Sequence, residues 1–182
     1  LPDKLALQFD ALVCSESNNV GLIYGSSRLF GSSLNQNHPY HKNNCLLSPP
    51  LGLNPSIYTN PSVLSYRNIV GFCSALYRKD LIQELNQVVE FDLIPDYFWH
   101  LCLFAISDVL FVPLPLCSIR IHGSNLSTLK RFDMYRQSYH VLKFVTANVS
   151  GIYSDYSAYC KLCFAQALYC HDFKYFLRPF CH

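Results

Sequence analysis

Residues Val109 to Ser127 read VLFVPLPLCSIRIHGSNLS, and they join an apolar run to a polar loop. The apolar part, Val109 to Cys117, predicts a buried strand that prolines interrupt. Arg120, His122 and Asn125 follow at the point where this strand ends and the chain enters a loop. Because rigid strands often present binding groups on the loops that follow them, this loop is a candidate site.

Two side chains of this loop suggest a particular chemistry. The guanidinium of Arg120 is a planar, permanently charged donor that suits phosphate oxygens. The neutral imidazole of His122 is a common ligand for a divalent metal ion. Together they suit a site that handles a metal-bound diphosphate, although an Arg and a His in a loop are more often solvated or structural.

Three stretches of the chain, in the same order, resemble motifs of the family 2 glycosyltransferases, which are inverting, metal-dependent enzymes with the GT-A fold. Arg120 to Ser127 resembles the signature Y-R-x-H-x-x-N-x-S, with Ile119 where the family usually has an aromatic residue. Asn68 to Lys79 resembles the segment N-x-I-x-G followed by l-f-R-r. Phe91 to Leu101 resembles the segment f-D followed by e-D-y-e-l-w-l-r.

The resemblance implies an α/β fold and a division of the chain. Residues 1–127 would form the C-terminal, acceptor-side half of a GT-A domain, and residues 128–182 a helical extension. The implied reaction transfers a hexose from a nucleoside-diphosphate sugar to a hydroxyl of a glycan acceptor, with inversion, in surface polysaccharide or glycan synthesis. Leu1 to Gln8 resembles the segment that follows the Asp-x-Asp strand in this family.

The same resemblance assigns roles to the side chains of the implied site. Asp96 would take the proton of the acceptor hydroxyl, and Asp92 is the second choice for that base. His122 would bind Mg²⁺ or Mn²⁺ on the leaving diphosphate. Arg120 would offset the charge of the diphosphate, and Asn125 would position groups nearby.

Asn68, Gly71 and Asp96 each have a structural alternative. The resemblance places Asn68 and Gly71 beside the acceptor sugar, but Gly71 could equally relieve crowding in a buried strand. Asp96 follows Pro95 at the predicted start of a helix, where a carboxylate often complements the helix dipole. That position is also expected to lower the pKa of Asp96 and keep it ionised.

The 182 residues contain no Asp-x-Asp motif preceded by a strand–helix–strand nucleotide unit. In the resembled family that motif holds the metal ion and the sugar nucleotide. The isolated chain is therefore expected to be inactive, or nearly so. The competing hypothesis is a non-catalytic protein that binds a membrane or a partner, or an inactive relic of a glycosyltransferase.

The composition of the chain argues for or against several other classes of function. The chain is 51% hydrophobic and 14% charged, which predicts that part of its surface packs against something else. A net charge of +2 is too small to indicate nucleic-acid binding. Nine cysteines, scattered and odd in number, do not form a disulfide framework, so a cytoplasmic protein is expected.

No membrane span is predicted, because the longest apolar run, Leu101 to Cys117, is broken by Asp108 and two prolines. Peripheral contact with a membrane is an alternative for the aromatic C-terminal helices, which could also cap the sheet. Cys160 and Cys163 could begin a zinc site or lie on an amphipathic helix. Other predicted elements are helices at Leu1–Val13, Lys79–Val89, Leu129–Val145 and Ser154–Tyr169, a strand at Val20–Phe30 with a break at Gly25–Ser27, a strand at Arg67–Tyr77, and a loop at Gly31–Asn60.

Overall fold

The structure is a computed structural model, which describes residues 2–32, 46–47, 68, 70–86 and 91–149. Within these residues the fold is mixed α/β, as the sequence predicts. The predicted helix at Ser154–Tyr169, the pair Cys160 and Cys163, and most of the predicted loop Gly31–Asn60 lie outside them. In chain order the elements are α1 (Lys4–Val13), β1 (Val20–Phe30), β2 (Leu46–Leu47), β3 (Leu76–Tyr77), α2 (Lys79–Asn86), α3 (Pro95–Ile106), β4 (Asp108–Arg120), α4 (Leu126–Leu129) and α5 (Arg131–Asn148).

Strand β1 is the centre of the described sheet, and its predicted bounds are confirmed. The predicted break at Gly25–Ser27 is wrong, because these residues stay in the strand and pair with β4. It pairs in parallel with β4 along its length, from Val20 opposite Asp108 to Phe30 opposite Arg120. On its other edge it pairs antiparallel with β2 at Ser27 and Arg28, and with β3 at Leu22 and Ile23. Nearly all of β1 is buried, which is consistent with the apolar residues on both sides of Gly25–Arg28.

The prolines of β4 produce bulges and do not end the strand. The sequence predicts two pieces, whereas β4 runs unbroken from Asp108 to Arg120. The register shifts after Gly25, because Gly25 pairs with Val112 and the next residue of β1 pairs with Pro115. Proline has no N–H to give to a ladder, so a bulge accommodates it. A Cβ on Gly25 would lie 2.4 Å from Leu116 Cγ, so the bulge requires a glycine on β1.

The larger core lies on one face of the sheet and is covered by α3 and α5. Helix α3 begins at Pro95, as predicted, and buries Phe98 and Leu101. The ring centroids of Phe98 and Phe144 lie 6.0 Å apart and join α3 to α5. The side chain of Val145 is 0% exposed in the same core. Helix α5, which the sequence assigns to the extension from residue 128, therefore belongs to the main core.

Helix α1 lies on the opposite face of the sheet, and its orientation corrects a prediction. The sequence places Leu5, Phe9, Leu12 and Val13 on one apolar face, which a globular fold would bury. In the structure these four residues are 64%, 62%, 37% and 66% exposed, respectively. The inward side of α1 consists of Gln8, which is 0% exposed, and of Leu7 and Ala11, which pack against the buried side chains of this face of the sheet.

Polar side chains on the inward side of α1 anchor the helix by donating hydrogen bonds to backbone carbonyls. Gln8 Nε2 donates to the carbonyls of Ile23, at 3.1 Å, and Ser74, at 2.9 Å. Lys4 Nζ donates to the carbonyl of Cys73 at 2.8 Å. These bonds anchor α1 to β1 and to the segment before β3, and they leave the apolar side of the helix in solvent.

The predicted strand Arg67–Tyr77 is wrong over most of the part that the structure describes. Phe72–Ser74 form a 3₁₀ turn, and only Leu76 and Tyr77 are in a strand. Ser74 explains the turn, because both its N–H, at 2.7 Å, and its hydroxyl, at 2.8 Å, donate to the carbonyl of Gly71. The next prediction, a helix from Lys79, is confirmed as far as Asn86.

Candidate functional site

Four side chains near the start of α3 form one continuous chain of hydrogen bonds. Asn68 Nδ2 donates to Asp96 Oδ2 at 3.0 Å. Asn68 Oδ1 lies 3.0 Å from His100 Nδ1, and His100 Nε2 lies 2.8 Å from the hydroxyl of Tyr77. We call Tyr77, His100, Asn68 and Asp96 the relay. It connects three separate parts of the chain: the segment before the 3₁₀ turn, β3 and α3.

The geometry fixes the direction of each hydrogen bond in the relay. Asn68 Oδ1 also accepts the N–H of Val70 at 3.3 Å, so it is the acceptor toward His100. His100 therefore carries its proton on Nδ1, and Nε2 accepts from Tyr77. Burial lowers the pKa of His100 to about 3, so the ring is neutral at physiological pH. Burial, and after it the negative charge of Asp96, raises the pKa of Tyr77 well above its ordinary value of 10.0.

The positions of Asp96 and His100 follow from helix geometry. They are four residues apart on α3, so their side chains lie on the same face one turn apart. Asn68 bridges them from a different segment, 28 residues before Asp96 in the chain. His100 is 0% exposed, and its ring stacks on Tyr77 with an angle of 7° between the planes. Both hydrogen-bonding atoms of the imidazole are thus engaged, and the ring holds the Asn68 amide in one orientation.

The pKa of Asp96 is shifted in the direction opposite to the one predicted from the sequence. The sequence predicts a lowered pKa because Asp96 lies in the first turn of a helix. In the structure burial raises the pKa of Asp96, and this outweighs the backbone N–H of Tyr97 and the Asn68 amide, which lower it. Removing a carboxylate from water disfavours its charged form. A carboxylate with a raised pKa accepts a proton more readily, which suits a general base.

Asp92, the second choice for the base, lies in a different environment. Its side chain is exposed, and Oδ1 accepts a hydrogen bond from Gln137 Nε2 on α5. Gln137 Oε1 in turn accepts the N–H of Leu93 at 3.1 Å. Asp92 thus helps to fix the loop before α3 to α5, which is a structural role.

The loop after β4 is folded by its own side chains. The backbone N–H of His122 donates to Asn125 Oδ1, and Asn125 Nδ2 donates to the carbonyl of Arg120 at 3.2 Å. His122 Nδ1 lies 2.9 Å from the hydroxyl of Ser124. Both polar groups of Asn125 are therefore engaged in shaping the loop. Arg120 is exposed and makes no ion pair with any residue that the structure describes.

The relay and the Arg120–Asn125 loop are separate groups. Within the described ranges, no hydrogen bond or ion pair links Asp96 to Arg120, His122 or Asn125.

The described residues do not by themselves fit a divalent metal ion. A metal site needs several ligands around one point, and His122 is the single candidate that the resemblance offers in this loop. No group of three or more His, Cys, Asp or Glu side chains gathers anywhere in the described part of the chain. We therefore derive no chemical step through a metal ion.

Asn68 and Gly71, which the resemblance assigns to acceptor binding, both have structural roles in the fold. The side-chain amide of Asn68 is engaged by Asp96, His100 and Val70. Gly71 is buried, and a Cβ there would lie 2.2 Å from Ser27 Oγ on β1. This close approach supports the packing alternative for Gly71, and contact of either residue with an acceptor remains a prediction.

Sequence reasoning missed Tyr77, His100 and Gln8. The spacing of Asp96 and His100 could have indicated that they share a helix face. The partnership with Asn68 and Tyr77 has no local signal, because it depends on how distant segments pack. Gln8 was part of a resembled motif, but an apolar pattern on the other side of α1 obscured its inward orientation.

No protein-family model, no curated protein and no solved structure matches this chain. Among the helices of the described ranges, none combines the length and the apolar character that crossing a bilayer requires.

Proposed function

We propose that the chain is the acceptor-side part of an inverting glycosyltransferase in which Asp96 is the general base. The observation that carries this proposal is the environment of Asp96. Its carboxylate is largely withdrawn from water, has a raised pKa, and is held at 3.0 Å by the amide of Asn68. A base needs this combination of fixed position and proton affinity.

The meeting of two resembled motifs supports the proposal further. Asn68 begins the second motif and Asp96 lies in the third, and each was selected from its motif alone. In the structure their side chains are hydrogen-bonded to each other. Two motifs that belong to one active site are expected to meet in this way.

The proposed chemistry needs few groups from this chain. The acceptor hydroxyl gives its proton to Asp96, and its oxygen forms a bond to the anomeric carbon from the face opposite the leaving group. The bond between the anomeric carbon and the nucleoside diphosphate breaks, so the configuration is inverted. Arg120, exposed at the end of β4, offsets the negative charge that develops on the leaving diphosphate. Asn68 keeps the carboxylate of Asp96 oriented through the reaction.

The donor, the metal ion and the compartment belong to the same proposal. A Mg²⁺ or Mn²⁺ ion on the diphosphate is implied by the resemblance, and the described residues offer only His122 toward it. We place the reaction in the cytoplasm, since the nine cysteines, scattered and odd in number, do not suggest a disulfide framework.

The test is a transfer assay on the native polypeptide, including any residues that precede Leu1. A panel of nucleoside-diphosphate sugars would be offered with glycan acceptors and Mn²⁺. We expect Asp96→Asn to lower the transfer rate by roughly 10²- to 10⁴-fold, the usual contribution of a general base. Binding of the donor is expected to be unchanged. The comparison variant Asp92→Asn should keep most of the rate, and the reverse pattern would contradict the assignment.

One observation favours a second function, a protein that binds a partner through α1. Leu5, Phe9 and Val13 are each more than 60% exposed on one side of this helix. Adjacent exposed apolar side chains often mark an interaction surface. If this function is the correct one, Phe9→Gln abolishes association with the partner, and Asp96→Asn changes no measurable property except stability.

A further inference from the structure

We infer that the rings of Phe72 and Trp99 form a stacking surface for a sugar ring of the acceptor, beside Asp96. We call these two residues the aromatic shelf. The inference rests on the proposed function and adds to it the way in which the acceptor is held.

The shelf belongs to a cluster of three aromatic side chains. The ring centroids of Phe72 and Trp99 lie 6.4 Å apart, and those of Phe72 and Tyr77 lie 6.1 Å apart. Trp99 and Tyr77 make an edge contact at 6.0 Å with an angle of 77° between their planes. Contacts of this kind hold aromatic rings in defined orientations.

The outermost ring of the cluster, that of Phe72, faces solvent. Phe72 is 55% exposed, although its neighbours Gly71 and Ser74 are buried in the 3₁₀ turn. The turn is fixed by the bonds of Ser74 to the Gly71 carbonyl. Phe72 is therefore a rigidly placed, exposed aromatic ring and not one that has failed to reach the core.

The shelf is adjacent to the base. Trp99 follows Asp96 by three residues on α3, so the two side chains share a side of the helix. Tyr77 contacts both rings of the shelf and is also the end of the relay that leads to Asp96. The charge of Asp96 acts on Tyr77 strongly enough to raise its pKa, although burial contributes more.

A carboxylate beside the exposed ring of Phe72 and the partly buried ring of Trp99 matches the two sides of a sugar. A pyranose has hydroxyl groups around its edge and C–H bonds on its faces. The C–H face would lie on Phe72 and Trp99, and an edge hydroxyl would then point to Asp96. Ligand sites generally combine apolar or aromatic walls with a few polar groups that fix orientation. A cation would also suit aromatic rings beside a carboxylate, so the test includes one.

Trp99 makes the test direct, because it is the single tryptophan of the chain. Its fluorescence would be followed while the protein is titrated with methyl β-glucoside, methyl β-galactoside, methyl N-acetyl-β-glucosaminide and methyl α-mannoside. Sorbitol, an open-chain polyol without a ring face, and choline, a cation, serve as controls. We expect a saturable change with at least one glycoside and none with sorbitol or choline.

A pair of matched variants locates the binding. Phe72→Leu is expected to lower the affinity for the glycoside by roughly 2- to 10-fold, the range expected for one aromatic contact. Phe9 on α1 is 62% exposed, similar to Phe72. Phe9→Leu removes this ring and should leave the affinity for the glycoside unchanged. The shelf is contradicted if no glycoside gives a saturable change, if sorbitol or choline binds as well, or if Phe72→Leu binds like the wild type.

The transfer assay separates failure of the shelf from failure of the proposed function. If both hold, Phe72→Leu raises the KM for the acceptor and leaves kcat nearly unchanged, whereas Asp96→Asn lowers kcat. In one outcome, glycoside binding is saturable and Phe72→Leu weakens it, but Asp96→Asn has no effect on transfer. That result would support the aromatic shelf and contradict the proposed enzymatic function. Loss of transfer in Asp96→Asn with an unaltered KM in Phe72→Leu would contradict the shelf alone.

Discussion

At the scale of single residues, Asp96 shows two opposing influences on one carboxylate. Its place in the first turn of α3 favours the charged form, and so does the hydrogen bond from Asn68. Burial disfavours the charged form and has the larger effect, so the pKa of Asp96 is raised. The ionised side chain therefore destabilises the folded protein, as is common for groups kept for function.

This balance predicts that Asp96→Asn stabilises the protein at neutral pH. Because the folded-state pKa of Asp96 is raised, the folded state binds more protons than the unfolded state between the two pKa values. Stability falls as pH rises through that interval, and the full penalty is present above it. Asparagine cannot ionise, and its carbonyl oxygen can still accept from Asn68. Thermal unfolding should show a higher Tm for Asp96→Asn at neutral pH, with the difference vanishing below the unperturbed pKa of 3.8. A lower Tm at neutral pH would show that the carboxylate is a stabilising helix cap.

His100 predicts a pH dependence of the opposite sign. Burial lowers the pKa of His100 from 6.5 to about 3. The unfolded state therefore binds more protons in that interval, and stability is lost as pH falls from 6.5 toward 3. His100→Gln removes this contribution, so its free energy of unfolding should depend less on pH in that range. Denaturant unfolding at a series of pH values measures this dependence for the wild type and for His100→Gln. The titration of Asp96 contributes equally to the two proteins, so the difference between them reports on His100.

A control for this measurement lies in the loop after β4. His122→Gln changes a histidine outside the relay and should preserve the slope of the wild type. Equal slopes for wild type and His100→Gln would mean that His100 titrates in the folded protein much as it does in the unfolded chain.

At the scale of elements, α1 shows that an apolar stripe does not by itself identify the buried face of a helix. The donors of Lys4 and Gln8 reach the carbonyls of Cys73, Ile23 and Ser74, and these bonds orient the helix. The two bonds from Gln8 are buried, and a buried carbonyl without a partner is unfavourable. Leu7 and Ala11 also pack against the sheet, so hydrogen bonds and apolar contacts together orient the helix. The sequence contains Gln8, but not the location of the carbonyls that it reaches.

The orientation of α1 predicts unequal effects of two adjacent substitutions. Gln8→Ala removes two buried hydrogen bonds and should lower the free energy of unfolding by about 1–3 kcal/mol. Phe9→Gln changes an exposed side chain and should alter it by less than about 0.5 kcal/mol. Chemical denaturation of both variants measures the difference. If the effects are reversed, the apolar face is the buried one.

At the scale of the whole molecule, the sequence predicts what depends on neighbouring residues. The bounds of β1 and the start of α3 at Pro95 follow from an apolar run and from proline at a helix start. The bulged β4 does not follow, because the contact of Leu116 with Gly25 joins distant segments. The bonds of Ser74 that hold the 3₁₀ turn are local, but the packing of Gly71 against Ser27 is not. Asp96 could be selected from its motif, whereas the hydrogen bonds that surround it could not.

The whole fold also determines where the candidate site lies. The sheet carries α1 on one face and the core of α3 and α5 on the other. The relay joins α3 to the segment before β3, so the carboxylate of Asp96 is fixed by tertiary packing. Residue 128, predicted as the start of a helical extension, is followed by a helix that packs into this same core. Loss of α5 would therefore disturb the site as well as the core.

The central claim is that Asp96 is a partly buried carboxylate held by Asn68, and a carbon-13 NMR titration of its carboxyl group tests this most directly. The measurement needs no substrate. We predict a midpoint above the unperturbed value of 3.8 in the wild type. Since the bond from Asn68 lowers the pKa of Asp96, the midpoint should be higher still in Asn68→Ala. A wild-type midpoint at or below 3.8, unchanged in Asn68→Ala, would mean that Asp96 is a solvated helix-capping residue and would contradict the account.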